Sequence, residues 1–353
     1  MKILFCIPTL ETGGAERQLE YLAGALRRDG HEVHVACGRG GAHRDALVAA
    51  GAIVHDIGRG AYDPRLVAGL VRLMRQLRPD VVQTCLTQMD VAGGAAALMT
   101  RTPWVLREAS SAESHPRGWK SALRRMLGRR AAAIVANSRA GDAYWRDTGA
   151  SRRRVVPNAV PFVDAESARE ANAVLFAGRL DDAKNAGAVI EALRLVDGDW
   201  TATFCGDGPL RAHLERRTRE LALGERIRFA GTVADVRERM QRAAVVVSLS
   251  RWEGSPNVAL EAMASGCPLV VSDIAAHRAL LDESCALFVG CDDAAGAATA
   301  IARVLHDRGE ATARAEVARA RARQWSIESM ADAYLAIYES ARSHASSIST
   351  SQR

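Results

Sequence analysis

Ser250-Arg-Trp-Glu-Gly-Ser-Pro-Asn-Val-Ala-Leu-Glu-Ala-Met-Ala-Ser-Gly266 is the stretch whose reading decides the fold. The apolar run from Ala243 to Leu249 leads into it and reads as a buried strand. Ser255 reads as an N-cap and Pro256 as the first helical residue, where a missing N–H costs nothing. Asn257 to Ala264 then forms the opening turns of a helix, which Gly266 and Pro268 stop. Strand, tight loop and helix carry two carboxylates, Glu253 in the loop and Glu261 just inside the helix. A helix N-terminus has open N–H groups and a partial positive charge, so it attracts phosphate. Carboxylates repel phosphate, but they accept hydrogen bonds from the hydroxyls of a sugar or ribose. Together these features suggest a nucleotide-sugar site. The alternative is a solvated loop Glu253 and a first-turn Glu261 that complements the helix dipole.

Upstream, Gly178-Arg-Leu-Asp-Asp-Ala-Lys-Asn185 follows another apolar run. Gly178 lets backbone approach a ligand, and Arg179 and Lys184 flank the next helix start. Two cations at a strand's C-terminal end suit a diphosphate. They could also be plain surface charges. For Lys184 that reading is weaker, because the chain holds only three lysines, Lys2, Lys120 and Lys184. Cys205-Gly-Asp-Gly-Pro209 follows the next strand, with Gly206 at the turn, and Gly231 closes Phe229-Ala-Gly231. Near the start, Gly13 and Gly14 lie in the first strand-to-helix turn without the GxGxxG spacing of a dinucleotide site.

Taken in order, the chain alternates strands and helices. Lys2–Ile7, Val33–Ala36, Asp80–Thr84, Trp104–Arg107 and Ile134–Ala136 read as strands of a first half. A hinge-like stretch with Pro157 and Pro161 runs from Ser151 to Asn172. Val174–Ala177, Thr201–Cys205, Ile227–Ala230, Val245–Leu249 and Leu269–Ser272 read as strands of a second half. Such alternation means doubly wound parallel α/β sheets. Expected domains are residues 1–160 and 161–326, with a last helix over 327–342 and a Ser-rich, disordered tail over 343–353.

Composition sets bounds. At 353 residues the chain fits two domains. The net charge is +6, and all but three of its 47 basic residues are arginine. These are scattered rather than blocked in a tail, so nucleic acid is not an expected partner. The seven cysteines include no CxxC, which reads as reduced thiols in a cytoplasmic protein. No apolar run reaches membrane-spanning length.

Glu253 and Glu261, with seven residues between them, resemble the paired glutamates of the retaining GT-B glycosyltransferases of family four. The resemblance extends along nearly the whole chain and is strongest from Ala177 to Asp273. Gly-Gly-Ala-Glu-Arg at Gly13 is similar to that family's first glycine loop, Val156-Pro-Asn158 to its junction signature, and Trp325 to Met330 to its last element. The resemblance implies two Rossmann-like domains facing a cleft, the first for the acceptor and the second for the donor. It implies a nucleoside-diphosphate sugar as donor substrate and no separate cofactor. In it Arg179 and Lys184 hold the leaving diphosphate, Glu253 contacts the donor sugar and Glu261 the ribose. Gly254, Ser255, Pro256 and Asn257 would line the phosphates, and Gly178, Gly206 and Gly231 would supply close backbone approaches. It implies a saccharide or lipid-linked saccharide acceptor and a role in bacterial cell-surface polysaccharide or glycolipid synthesis. Asp197-Gly-Asp199 has the metal-binding spacing of the other glycosyltransferase architecture, but it sits between a helix and a strand and reads as a solvated turn. No metal is expected.

The departure is on the acceptor side. Many relatives carry a histidine where this chain has Arg107-Glu-Ala-Ser-Ser111. Arg107 and Glu108 are therefore expected either to hold acceptor or donor sugar, or to form a surface ion pair; His115 lies nearby. Arg117 to Leu127, followed by Arg129 and Arg130, reads as an amphipathic helix with Trp119, Leu123, Met126 and Leu127 on one side. It could rest on an anionic membrane surface. The favoured reading packs the apolar stripe on the sheet and leaves the arginines solvated. A nucleotide-sugar 2-epimerase of the same fold and a non-catalytic nucleotide-sugar sensor are the other functional readings.

Overall fold

The computed structural model describes residues 1–11, 13–58, 63–110, 118–162 and 169–350. It divides into two units, Met1–Ala159 with Ile327–Arg353, and Val160–Ser326.

The first unit runs β1 (Lys2–Thr9), α1 (Gly14–Arg28), β2 (Glu32–Arg39), α2 (His43–Ala49) and β3 (Ile53–Asp56). It continues through α3 (Pro64–Leu77), β4 (Val81–Cys85), α4 (Leu86–Thr100), β5 (Trp104–Glu108) and α5 (Trp119–Gly128). β6 (Ala133–Ala136), α6 (Arg139–Tyr144) and β7 (Arg153–Val155) follow. The strands form one parallel sheet of order β3-β2-β1-β4-β5-β6-β7. β3 and β7 are not expected from sequence, and β7 falls within the stretch that reads as a hinge. Both are edge strands with little apolar pattern, so hydrophobic periodicity carries no signal for them.

The second unit runs β8 (Ala173–Ala177), α7 (Ala186–Leu193), β9 (Thr201–Cys205), α8 (Arg211–Glu220), β10 (Ile227–Gly231), α9 (Val236–Arg242) and β11 (Val245–Ser248). α10 (Asn257–Ala264), β12 (Leu269–Ser272), α11 (Ala275–Arg278), β13 (Leu287–Val289), α12 (Ala294–His306) and α13 (Arg308–Ala322) complete it. Its parallel sheet has the order β10-β9-β8-β11-β12-β13. Each sheet winds outward from its first strand in one direction and then returns to the other side. The order reverses between β1 and β4 in one unit and between β8 and β11 in the other. Ligands of open α/β sheets bind outside the carboxyl ends of strands at such reversals.

The chain then returns to the first unit as α14 (Ile327–Thr350). Tyr334 and Tyr338 are buried there, and the Tyr338 hydroxyl donates to Gln83 Oε1 at 2.5 Å. The sequence suggests an end at Arg342 and disorder beyond it. The helix instead continues to Thr350, since alanine and serine carry only a small helical penalty and no glycine or proline stops it.

α4 shows how small residues position the sheet. A Cβ on Gly94 would lie 2.4 Å from Trp104 Cη2, and one on Gly93 would lie 2.8 Å from Thr84 Cγ2. The helix begins directly after β4, with Leu86 in the left-handed region at φ 68. Its small-residue face lets it lie close enough to β4 and β5 to bury Asp90. That carboxylate accepts from Thr84 Oγ1 at 2.6 Å and from Arg124 Nε at 2.7 Å. Arg124 in turn donates through Nη1 to Glu108 Oε2 at 2.7 Å, which also accepts from Trp145 Nε1 at 3.0 Å. This buried acid–guanidinium–acid group divides the expected apolar stripe of α5: Leu127 still packs against the core, while Trp119 and Met126 face solvent. Arg124 is 1% exposed, whereas Trp119 is 66% and Met126 55% exposed. The two carboxylates beneath α5 draw Arg124 inward, where the sequence suggested a solvated arginine.

Burial pushes the Asp90 carboxyl up to about 6, against the pull of Arg124. A folded-state value above the unfolded one means that the native chain binds more protons between about pH 4 and pH 6. Stability from this group is therefore lost as pH rises through that window. Asp90→Asn should remove this slope, so the wild type should lose roughly 1–3 kcal/mol relative to the variant across it. Urea midpoints at pH 4, 5 and 6.5 measure this, and a constant difference would contradict it. Gly94→Ala should cost ~1–3 kcal/mol through overpacking against Trp104, read as a lowered thermal midpoint.

Candidate functional site

At the reversal in the second sheet, two loops leave neighbouring strands. The loop after β8 carries Gly178 to Asn185, and the loop after β11 carries Leu249 to Pro256. They are stitched together by backbone and amide bonds. Arg251 N donates to Ala183 O at 2.9 Å. Asn185 Nδ2 donates to Leu249 O at 3.1 Å and to Cys291 O at 2.8 Å. Asn185 sits in the left-handed region at φ 54 and ψ 40, which asparagine tolerates better than most residues. Asp181 Oδ1 accepts from Lys184 N at 3.1 Å and shapes the turn that delivers Lys184.

Lys184 and Glu253 meet across these loops. The ammonium lies 2.5 Å from Glu253 Oε1, with both side chains partly buried. Ser250 Oγ donates to the same oxygen at 2.7 Å. Behind Ser250, its carbonyl accepts from Ser272 Oγ at 2.6 Å. His277 Nδ1 lies 2.8 Å from Ser272 O, so that nitrogen carries the proton and Nε2 is a bare acceptor. His277 is fully buried, Nε2 has no partner among the described residues, and burial holds the imidazole below its ordinary value. Sequence reasoning missed Asn185, Ser250, Ser272 and His277. For Asn185 a signal existed, an asparagine entering a helix turn beside Lys184. The other three act through tertiary contacts that no local pattern marks.

Arg179 stands apart. Its side chain is 71% exposed and reaches Asp181 at 3.5 Å. The expected pairing of Arg179 with Lys184 is thus one fixed cation and one solvated cation. Glu261 is buried on α10, just past its first turn. The helix start differs from expectation: Pro256, not Ser255, occupies the cap, and Asn257 is the first helical residue. Pro256 has φ −80 and ψ 73, outside the helical region, and no side chain caps the helix. Gly254 and Ser255 form the turn before it, and exposed Trp252 precedes Glu253.

Gly178, Gly206 and Gly231 hold the strand ends of β8, β9 and β10 against one another. Gly178 N donates to Cys205 O at 2.9 Å and Gly206 N to Gly231 O at 2.7 Å. Gly206 has φ 138, and a Cβ there would lie 1.9 Å from the Gly178 carbonyl oxygen. Gly206 is therefore required by loop packing. Asp197 and Asp199 are exposed in the turn before β9, at the opposite end of that strand from Gly206.

In the first unit, Gly13 caps α1 and Gly14 opens it. The Glu16 side chain folds back so that a Cβ on Gly13 would lie 2.2 Å from its Oε2. Arg107 and Glu108 are not a surface ion pair, and neither is open to an acceptor. They point to opposite faces of β5 and both are buried. Arg107 Nη2 donates to Asn158 Oδ1 at 2.8 Å, tying the Pro-Asn segment to the sheet. Glu108 belongs to the group around Arg124, and its Oε1 accepts from Ser110 N at 3.0 Å. A strand-end position suggests a site, but two faces of a buried strand absorb both side chains. Thr12, Ser111, His115 and Arg117 lie outside the described residues. All seven cysteines are free, six of them buried.

Comparison with known proteins identifies the family and the fold. Residues 12–162 match the family described as Glycosyltransferase Family 4, and residues 171–307 match Glycosyl transferases group 1. A Campylobacter jejuni protein is 29% identical over 329 residues, covering 87% of this chain and 89% of its own. It is named GalNAc-alpha-(1->4)-GalNAc-alpha-(1->3)-diNAcBac-PP-undecaprenol alpha-1,4-N-acetyl-D-galactosaminyltransferase. The lipopolysaccharide core biosynthesis mannosyltransferase LpsB of Rhizobium meliloti is 32% identical over 151 residues, 40% of this chain and 43% of that protein. Anabaena Alr3699/HepE, solved in complex with UDP and glucose, superposes with a TM-score of 0.86 at 22% identity, covering 96% of this chain and all of that one. That likeness shows the GT-B fold.

Gly206→Ala should force the loops after β8 and β9 apart. The expected loss is ~2–4 kcal/mol of stability, visible as a lower denaturation midpoint. An unchanged midpoint would mean that the loops have slack that the packing does not suggest.

Proposed function

The chain belongs to the family-four, group 1 glycosyltransferases and has their GT-B fold, and from that premise we propose a retaining, metal-independent transfer of a sugar from a nucleoside-diphosphate donor to a saccharide or lipid-linked saccharide. The observation that carries this reading is the Lys184–Glu253 pair at the sheet reversal, beside the uncapped start of α10. As the bond from sugar C1 to phosphate oxygen breaks, the diphosphate gains negative charge. Lys184, solvated Arg179 and the α10 N-terminus are the groups that would stabilise that charge without a metal. Glu253 orients the donor sugar and Glu261 the ribose. The acceptor hydroxyl forms the new bond to C1 on the face the diphosphate leaves. Its proton passes to a departing phosphate oxygen. Arg107 and Glu108 have no part in this step, because both are committed inside the first unit.

The named relatives favour cell-surface polysaccharide or glycolipid synthesis. Transferase relatives along most of the chain also favour transfer over 2-epimerisation, and a sensor would need no charge beside a leaving group. No helix among the described residues is long and apolar enough to cross a membrane. The exposed Trp119 and Met126, with Lys120 between them, support peripheral docking of α5 on an anionic cytoplasmic membrane face.

Lys184→Ala should lower turnover by ~10²–10³-fold, the scale of removing one preorganised charge. Release of nucleoside diphosphate is the assay, and wild-type turnover would count against the assignment. Activity should persist in excess EDTA, and its abolition would overturn the metal-free mechanism. Proton NMR of the first product should show the donor's anomeric configuration; the opposite anomer would exclude retention. Trp119→Ser with Met126→Ser should reduce co-sedimentation with anionic vesicles at low salt. Equal sedimentation of variant and wild type would remove α5 from the membrane reading.

A further inference from the structure

At the starting ends of β5 and β6, the first unit holds a cavity of about 850 Å³. Its walls are the last turn of α4, the turn between α5 and β6, the segment around β7, and the middle of α14. It therefore lies at the opposite edge of the sheet from the strand ends at Cys85 and Glu108. The floor is apolar and includes Trp104 and Ile337. Arg101, Arg130, Arg152 and Arg154 line it as well, and no acidic residue does.

None of these four arginines forms an ion pair among the described residues, although neighbouring arginines do. Arg129, beside Arg130, reaches Asp147 at 3.7 Å, and Arg125 pairs with the same carboxylate. Arg152 Nη1 is held by the carbonyls of Arg129 at 2.6 Å and Ala131 at 3.3 Å. Arg154 Nη1 is held by those of Ser151 at 2.9 Å and Arg153 at 2.8 Å. Carbonyls fix these guanidiniums in place without neutralising them. The result is an apolar hollow of ligand-sized volume surrounded by uncompensated positive charge.

We infer that this groove takes a membrane lipid, with one hydrocarbon chain along α14 and an anionic phosphate head among the arginines. A free phosphate would satisfy the guanidiniums but leave the apolar floor wet, and a neutral hydrocarbon would do the reverse. An anionic amphiphile meets both demands. The inference concerns the first unit alone. It holds whichever sugar is transferred and whether or not α5 touches a bilayer.

Dodecyl phosphate, titrated below its micellar concentration into the full chain by calorimetry, tests it without donor or vesicles. One molecule should bind per chain, with inorganic phosphate and dodecyl maltoside each at least about tenfold weaker, the scale of one charge-assisted hydrogen bond. Arg101→Gln with Arg130→Gln should weaken dodecyl phosphate by a similar factor while the thermal midpoint stays at the wild-type value. Ala336→Trp, on the groove wall, should fill the floor and abolish binding. Inorganic phosphate binding as tightly as dodecyl phosphate would reduce the groove to an anion patch and overturn the inference. So would equal binding of dodecyl maltoside, or dodecyl phosphate binding that survives Ala336→Trp. Because sugar transfer is not the readout, failure here leaves the transferase reading standing, and loss of that reading leaves this one.

Discussion

Two loops that leave adjacent parallel strands where the winding reverses have no helix between them, and something must satisfy the space they share. In the second unit that role falls to Lys184 and Glu253, 2.5 Å apart. Their pairing draws together the ends of β8 and β11, and the rest of the site is built on the same seam. Asn185 joins the two loops through its side chain, Ser250 donates to the same Glu253 oxygen as Lys184, and the buried Ser272–His277 pair supports Ser250 from behind. A lysine held by a glutamate is oriented before any ligand arrives. In the proposed reaction an arriving diphosphate would compete for an ammonium that is already oriented. Preorganisation of this kind is what makes a fixed charge effective against charge that develops during a reaction.

The first unit uses charge differently. Asp90, Arg124 and Glu108 form a buried group that sets which face of α5 meets the sheet, and with it which face is left to solvent. A buried ion group of this sort contributes little net stability over an apolar equivalent, but removing one member is costly. Its effect is orientation. It turns Trp119 and Met126 outward and carries Arg130 to the mouth of the alanine-walled groove under α14.

Much of this is legible in the amino-acid order. The central strands announce themselves as short runs of Val, Ile, Leu and Ala, and glycines after strands mark where loops must crowd. Glu253 and Lys184 are identifiable because each sits at the end of such a run, and because lysine is scarce in this chain. The edges are not legible. β3, β7 and β13 are short and only half buried, so they need no strong apolar signature. The start of α10 at Asn257 reads one residue early, since a proline can occupy the cap as readily as the first turn. The largest misreading is α5. Its hydrophobic stripe is real and Leu127 packs inward, but periodicity does not reveal the two buried carboxylates that draw Arg124 to the same side. Arg107 and Glu108 mislead for a related reason: a position at a strand's end reveals proximity to an edge, not the direction of a side chain.

In the proposed reaction Lys184 serves the departing diphosphate and Glu253 the donor sugar, and the ion pair between them holds both in place. A double-mutant cycle on product release tests this directly, with Lys184→Ala, Glu253→Gln and the pair compared at matched folded fractions. Strong non-additivity is expected: the double variant should be little slower than the worse single variant. Strictly multiplicative losses, or single variants that turn over like the wild type, would contradict it.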